Sequence, residues 1–144
     1  MQQKSQSNNG FSIIELMIVV VISGILMAIA VPSYTSYILN SHRQEVEQIM
    51  LRDQQYLEHY YHDNGSYLDS NGNYPVLPYS QSPESGDPRY SIAFETTKIT
   101  GDERATHYHL VATPLGAQAS SATNLWVCID NDGNIKENTD ASCN

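Results

Sequence analysis

The chain has 144 residues and a formal net charge of −9 at pH 7, with 16 acidic against 7 basic residues. This length allows one small globular domain and one anchor segment, and it excludes a protein of several large domains. The acidic balance repels phosphate backbones and anionic lipids, so nucleic-acid binding through a broad basic patch is not expected.

An apolar run over residues 11–31 is the first element, and Glu15 is its one charged residue. Three interpretations are open. An export signal would be cut after Ala30, at a small-x-small pattern. A plain transmembrane anchor fits the length, since about 21 helical residues span about 30 Å, but it gives Glu15 no role. The third interpretation places a cut between Gly10 and Phe11, which removes the polar leader and keeps the apolar helix.

The residues around that third cut are Gly10-Phe11-Ser12-Ile13-Ile14-Glu15-Leu16, and an unbroken apolar stretch follows them. This segment resembles the class III leader of type IV pilins and their pseudopilin relatives. The resemblance implies that a prepilin peptidase cleaves after Gly10, that the new N-terminal Phe11 is methylated, and that the hydrophobic helix stays attached. It extends, with less specific motifs, to residues 63–67, 108–118 and the C-terminal cysteine loop, which look most like small minor pilins of class IVa.

Cleavage before Phe11 would create an α-amine close to the Glu15 carboxylate. A carboxylate in a packed apolar bundle is tolerated only when it is paired. The pair could form within one helix at i, i+4, or between Glu15 and the Phe11 amine of a neighbouring subunit. The resemblance favours the intermolecular pair, which would fix one axial register. It also implies that Gly24 and Pro32 act in assembly: these two residues weaken a helix, and the segment between them is expected to kink in the free subunit and to unwind in the filament.

The helix is predicted to continue to about His62, because apolar residues recur at helical spacings from Leu39 onward and form one stripe that is predicted to face the core. This stripe consists of Leu39, Val46, Ile49, Met50, Leu57, Tyr60 and Tyr61. A long loop is predicted over residues 63–89, which are dense in Asn, Gly, Ser and Pro. Alternating patterns then predict strands over 90–95, 106–113, 124–130 and 135–137. The sequence therefore predicts an α+β fold, in which a long N-terminal helix packs on a small antiparallel sheet of three or four strands.

Two cysteines, Cys128 and Cys143, lie close together near the C-terminus. In an exported chain this pattern predicts one disulfide, whose short loop would contribute roughly 3 kcal/mol of stability. The predicted organisation is a cleaved leader over 1–10, a transmembrane and assembly helix over 11–38, and a globular head over 39–144.

No pattern typical of a catalytic site occurs in the sequence, so we expect no enzymatic activity, no cofactor and no metal. The His59 and His62 pair and the His107 and His109 pair lack a closed ligand set. Asp130-x-Asp132-x-Asn134 is similar to the opening of a calcium loop, but it lacks the later glycine and the bidentate acid. A turn rich in Asp and Asn is the better interpretation.

The resemblance predicts a subunit of the type IV pilus, namely a minor pilin that supports initiation or assembly of the filament. The expected partners are other pilin subunits, the prepilin peptidase and the inner-membrane assembly machinery. The chain is expected to span the inner membrane once, with its head in the periplasm, before it enters the extracellular pilus. The alternatives are a major pilin, a type II secretion pseudopilin and, from another class, a ligand-binding or DNA-binding pilin module.

Overall fold

The computed structural model describes residues 11–120 and 125–138, without the side chains at positions 32 and 33. The chain divides into two compact units, Met1–Ile38 and Leu39–Asn144, which are called here the helix unit and the head. One helix, α1, runs over Ile13–Asn64 and contributes to both units. The helix predicted from the sequence, from Phe11 to about His62, is thus confirmed to within two residues at each end.

Both ends of α1 are closed by local hydrogen bonds. At the start, the backbone carbonyl of Ser12 accepts the N–H groups of Glu15 and Leu16, at 3.1 and 3.2 Å. At the end, the Gly65 N–H donates to the Tyr61 carbonyl at 2.7 Å, and Gly65 has a φ of +69°. A left-handed glycine directly after the last turn is a common helix stop, because glycine adopts this conformation without a steric penalty.

The head contains a five-stranded antiparallel sheet in which each strand pairs with the strand before it in sequence. The strands are β1 (Gln81–Ser82), β2 (Tyr90–Phe94), β3 (His109–Pro114), β4 (Trp126–Asp130) and β5 (Ile135–Asn138). The predicted fold class and the four strand segments are confirmed. The sheet has five strands, whereas three or four were predicted. The extra strand, β1, is two residues long and lies in the segment predicted as loop, where no alternating pattern can form.

The core of the head lies between α1 and one face of the sheet. Alternate residues of the strands face the helix, as their period of two requires. The buried core includes four helix residues and six strand residues: Val46, Ile49, Met50, Leu57, Tyr90, Ile92, Leu110, Ala112, Val127 and Ile129. The stripe predicted on the helix and the inward faces predicted for β2, β3 and β4 are therefore confirmed.

The segment between α1 and the sheet is held by aromatic contacts and by backbone bonds. Tyr67 packs edge-on against buried Tyr108, with ring centroids 4.8 Å apart, and its N–H donates to the Ala105 carbonyl at 2.9 Å. Tyr74 stacks on Phe94 at 4.3 Å. Ala105 ends a short 3-10 helix, Gly101–Ala105, which the sequence patterns do not predict. These contacts fix the loop against the sheet along much of its length.

The turn between β4 and β5 supplies a first testable prediction. Gly133 has a φ of +81°, and a Cβ placed there would lie 3.1 Å from Gln54 Nε2 on α1. Gly133→Ala should therefore lower the free energy of unfolding by roughly 1–2 kcal/mol for the backbone, plus a smaller amount for the contact. Gly72, with a φ of +77° and open space around it, is the matched control. Chemical denaturation should show that the two costs become equal in a Gln54→Ala background. A larger cost at Gly72 in the wild-type background would contradict the contact.

Candidate functional site

The largest exposed apolar surface lies on the helix unit. The large hydrophobic side chains over residues 13–31 range from 52% exposed at Ile22 to 80% exposed at Ile13. Isolated apolar side chains are normal on protein surfaces, but a continuous apolar surface of this kind marks a membrane or protein contact. By length and composition this part of α1 can cross a membrane.

Glu15 lies in the first turn of α1, where a carboxylate is favoured by the free N–H groups of the helix start. The helix begins only at Ile13, so Phe11 lies outside it, with an exposed side chain. The helical i, i+4 spacing therefore does not apply to Phe11 and Glu15. The Glu15 side chain is exposed.

The other predicted processing and assembly residues are placed as follows. Gly10 lies outside the described residues. Gly24 is helical, and a Cβ added there would meet nothing within 4 Å. The helix continues through Pro32 without a break in its secondary structure, and the Thr35 hydroxyl donates to the Val31 carbonyl at 3.1 Å. Among the described residues, Glu15, Gly24 and Pro32 lie at separate positions along α1.

A buried carboxylate, Asp53, lies in the middle of the helix stripe that packs against the sheet. Its side chain is fully buried. Its Oδ1 accepts the Tyr79 N–H at 3.1 Å, whereas its Oδ2 has no hydrogen-bond partner among the described residues. Burial raises the pKa of Asp53 to about 6, against smaller lowering effects of the Tyr79 N–H and of Arg52. The apolar pattern of the sequence does not predict that Asp53 is buried, although its spacing from Met50 and Leu57 places it on the stripe.

Contacts of Arg52 hold the same region of the loop on α1. The Arg52 guanidinium lies 4.3 Å from the centre of the Tyr79 ring and forms an ion pair with Glu84. Together with the bond from the Tyr79 N–H to Asp53, these contacts tie residues 79–84 to one turn of the helix. Buried Asp53 and exposed Arg52 therefore hold the loop on α1 from two sides.

A second apolar cluster lies on the face of the sheet that points away from α1. Val111 and Cys128 are buried there, and Trp126 packs against them. A groove of about 490 Å³ is lined there by Phe94, Glu95, Lys98 and Trp126, among others. The predicted partner of Cys128, Cys143, lies outside the described residues, so the disulfide stays a prediction.

The histidine pairs lie at two separate places. His59 and His62 line a shallow cavity on α1, and His107 and His109 line another beside Lys98. Within residues 11–120 and 125–138 no group of three or more His, Cys, Asp or Glu side chains is positioned to hold a metal ion.

The Asp130 carboxylate is occupied by its own turn. Its Oδ1 accepts the N–H groups of Asp132 and Asn134 at 3.0 and 2.9 Å, and its Oδ2 accepts the Asn134 side-chain amide at 2.9 Å. This is the turn rich in Asp and Asn that the sequence predicts. It uses the carboxylate oxygens that a calcium ion would need.

Several cations of the head are engaged by acidic or aromatic side chains. Arg43 lies 2.9 Å from Glu137, Arg52 pairs with Glu84, and Arg104 lies 4.9 Å from the centre of the Tyr74 ring. Lys98 and Glu95 border the groove that contains Trp126. The described surface thus combines a negative overall charge with one lysine beside an aromatic groove.

Comparison with known proteins gives consistent matches. A family model described as type IV minor pilin ComP, DNA uptake sequence receptor, matches residues 32–131. The prokaryotic N-terminal methylation motif matches residues 5–31. Fimbrial protein EcpC of Eikenella corrodens is 42% identical over 60 residues, which cover 42% of this chain and 39% of that protein. The crystal structure of the non-core minor pilin PilV of Neisseria meningitidis is 21% identical, with a TM-score of 0.48, over 75% of this chain and 95% of that chain.

Proposed function

Because this chain belongs to the family of type IV minor pilins described as ComP, DNA uptake sequence receptor, we propose that it is stored in the inner membrane and then drawn into the pilus as an assembly subunit. Its head would lie in the periplasm during storage. The observation that carries this proposal is the exposed apolar surface of α1 between residues 13 and 31. That surface needs either a bilayer or other copies of the same helix around it.

The exposed apolar side chains of the helix unit favour two successive environments, first the bilayer and then a bundle of helices. Burying a large aliphatic side chain contributes roughly 1.5–3 kcal/mol, and more than ten such side chains are exposed on the helix unit. Water is therefore the least favourable environment for this surface. A bilayer buries this apolar surface without specificity. A bundle of identical helices buries it too, and it also allows polar groups on neighbouring helices to pair.

The processing step follows from the methylation motif over residues 5–31, which implies cleavage by a prepilin peptidase. We place the cut between Gly10 and Phe11. The new Phe11 amine of one subunit would then pair with Glu15 of its neighbour. The exposed position of Glu15, and the position of Phe11 outside α1, support this pairing between subunits.

The experiment that tests this proposal is the intact mass and N-terminal residue of the chain, recovered both from the envelope and from sheared filaments of its own host. We expect methylated Phe11 at the N-terminus in both fractions, with a mass lower by two hydrogen atoms for the Cys128–Cys143 disulfide. A chain that begins at Val31 would contradict the proposal, because it would have lost the helix. Recovery only in the envelope would contradict the assembly role.

A second candidate function, DNA capture, is favoured by the groove beside Lys98. Trp126 can stack on a base and Lys98 can meet a phosphate, which is the combination that binds single strands without sequence preference. The family description also points to DNA. The net charge of −9 opposes this function, since phosphate contacts supply most of the affinity for DNA.

Gel shifts with the full mature chain in mild detergent separate the two candidates. If the groove captures DNA, a shift at physiological salt should be lost in Trp126→Ala and in Lys98→Ala. It should persist in Arg52→Ala, because Arg52 is engaged by Glu84 and Tyr79. No shift for the wild-type chain leaves filament assembly as the function.

A further inference from the structure

Two tyrosines at the end of the helix unit differ from all the others in the chain. Tyr34 and Tyr37 are 68% and 71% exposed. The other eight tyrosines lie in the head, where each is buried or half-buried: Tyr56, Tyr60, Tyr61, Tyr67, Tyr74, Tyr79, Tyr90 and Tyr108. A tyrosine side chain gains most from its large apolar ring when that ring is covered, and both of these rings are largely uncovered.

Their position along the helix is defined by the end of the apolar run at Val31. At 1.5 Å per residue, Tyr34 lies about 4.5 Å beyond Val31 and Tyr37 about 9 Å beyond it. A hydrocarbon core of about 30 Å lies within a bilayer of about 40–45 Å, so each headgroup layer is about 5–8 Å thick and the Tyr37 backbone lies at its outer edge. Long side chains on a helix point back toward its N-terminus, so the Tyr37 ring lies deeper than its backbone. A spacing of three residues also places the two rings on the same side of α1.

The residues around the tyrosines have the composition of a membrane interface. Residues 33–37 are all uncharged polar or aromatic, Ile38 and Leu39 then lead into the head, and the first arginine follows at Arg43. The Thr35 hydroxyl is bonded to the Val31 carbonyl within the helix. The chain thus changes from apolar, through uncharged polar and aromatic, to charged over about three turns of helix.

We infer that Tyr34 and Tyr37 form an aromatic anchor that lies in the headgroup layer while the chain is stored in the bilayer. The rings would rest at the boundary of the acyl chains, and the hydroxyl groups would bond to phosphate or ester oxygens of the lipids, as tyrosines do at membrane interfaces. The anchor sets the depth of the helix, and it opposes extraction until filament contacts replace those with lipid. This inference rests on the membrane storage that is part of the proposed function.

The depth of each position can be measured by fluorescence in the full mature chain. A Trp126→Phe background removes the single native tryptophan, and Tyr34→Trp, Tyr37→Trp and Val21→Trp are then made one at a time. Each variant is reconstituted into phosphatidylethanolamine and phosphatidylglycerol vesicles that contain lipids brominated either near the headgroup or near the chain ends. Circular dichroism establishes that each variant is helical before its fluorescence is compared.

We expect the tryptophans at 34 and 37 to lose more intensity to the shallow bromines than to the deep ones. The tryptophan at 21, near the middle of the run, should show the reverse order. Water-like emission without quenching at 34 and 37, beside deep quenching at 21, would overturn the anchor and leave membrane storage intact. Absence of quenching at 21 would overturn membrane storage itself, and with it the anchor.

A pair of double variants gives a second readout. Tyr34→Phe with Tyr37→Phe keeps the rings, whereas Tyr34→Ser with Tyr37→Ser removes them. The serine pair should shift a tryptophan at position 21 away from the depth that it has in the wild-type background, and the phenylalanine pair should shift it less. An unchanged depth for the serine pair would contradict the anchor.

Discussion

Glu15→Ala is expected to remove the chain from sheared filaments while its amount in the inner membrane stays unchanged. The physical reason is that a packed apolar bundle would then hold the Phe11 amine without a partner. Removing one member of a buried ion pair typically costs roughly 3–5 kcal/mol, which is more than a hundredfold in an assembly equilibrium. Insertion into the bilayer should not suffer, because alanine is more easily accommodated there than a carboxylate.

Two further substitutions separate charge from shape at this position. Glu15→Gln keeps the size and the hydrogen-bonding capacity but removes the charge, so it should fail as Glu15→Ala does. Glu15→Asp keeps the charge on a shorter side chain and should recover part of the incorporation. Glu103→Ala, which removes an exposed carboxylate of the head, is the matched control and should assemble normally. Normal incorporation of Glu15→Gln would show that Glu15 acts only at the start of the helix, through hydrogen bonds.

Asp53→Asn is expected to stabilise the head at neutral pH and to remove most of its dependence on pH between about 4 and 6. In the folded chain the pKa of Asp53 is raised from 3.8 to about 6. The folded state therefore binds this proton more tightly than the unfolded state. The contribution of Asp53 to the free energy of unfolding should therefore rise as pH falls through 6, and it should level off below about 4.

The size of this effect is bounded by the pKa difference. About two pKa units correspond to at most about 3 kcal/mol between the two ends of the range. Asparagine resembles the protonated acid, because its carbonyl oxygen can accept the Tyr79 N–H and its amide adds no charge. Glu47, whose pKa is also raised by partial burial and by Glu137, accounts for a remaining slope of the same sign.

Denaturant unfolding of the full chain in mild detergent at pH 4, 5, 6, 7 and 8 measures this prediction. Asp87→Asn, at an exposed position of the same loop, is the control and should follow the wild-type chain. If Asp53→Asn shows the same slope as the wild-type chain, the buried carboxylate is not the source of the pH dependence.

Much of the fold of the head can be predicted from the sequence, because apolar residues recur at helical spacing in α1 and at every second position in the strands. The stripe that contains Val46, Met50 and Leu57 predicts which side of α1 is buried. The alternation of Tyr90 and Ile92 in β2 predicts its inward face in the same way. Each pattern predicts only which side of an element faces the core. Because the strands of this sheet pair in sequence order, that information is sufficient to predict how the sheet packs on α1.

The features that were missed depend on contacts rather than on period. Strand β1 exists because Gln81 and Ser82 pair with Ser91 and Tyr90 across the sheet. Asp53 is polar and therefore does not contribute to the apolar pattern of the stripe, so the pattern does not indicate that this carboxylate is buried. Within the candidate site, Glu15 was found because it interrupts an apolar run. Tyr34 and Tyr37 interrupt nothing, and only their exposure in the structure distinguishes them.

The two outer strands of the sheet have a consequence for how copies of the chain meet. Strand β1 is only two residues long and is followed directly by Pro83, which has no N–H to donate. Strand β5 carries exposed Lys136 and Glu137. Short strands, proline and charged side chains discourage pairing with the sheet of another molecule. In the proposed filament, neighbouring heads are therefore not expected to pair their sheets as in an amyloid fibre, and polymerisation would depend on contacts between the helices.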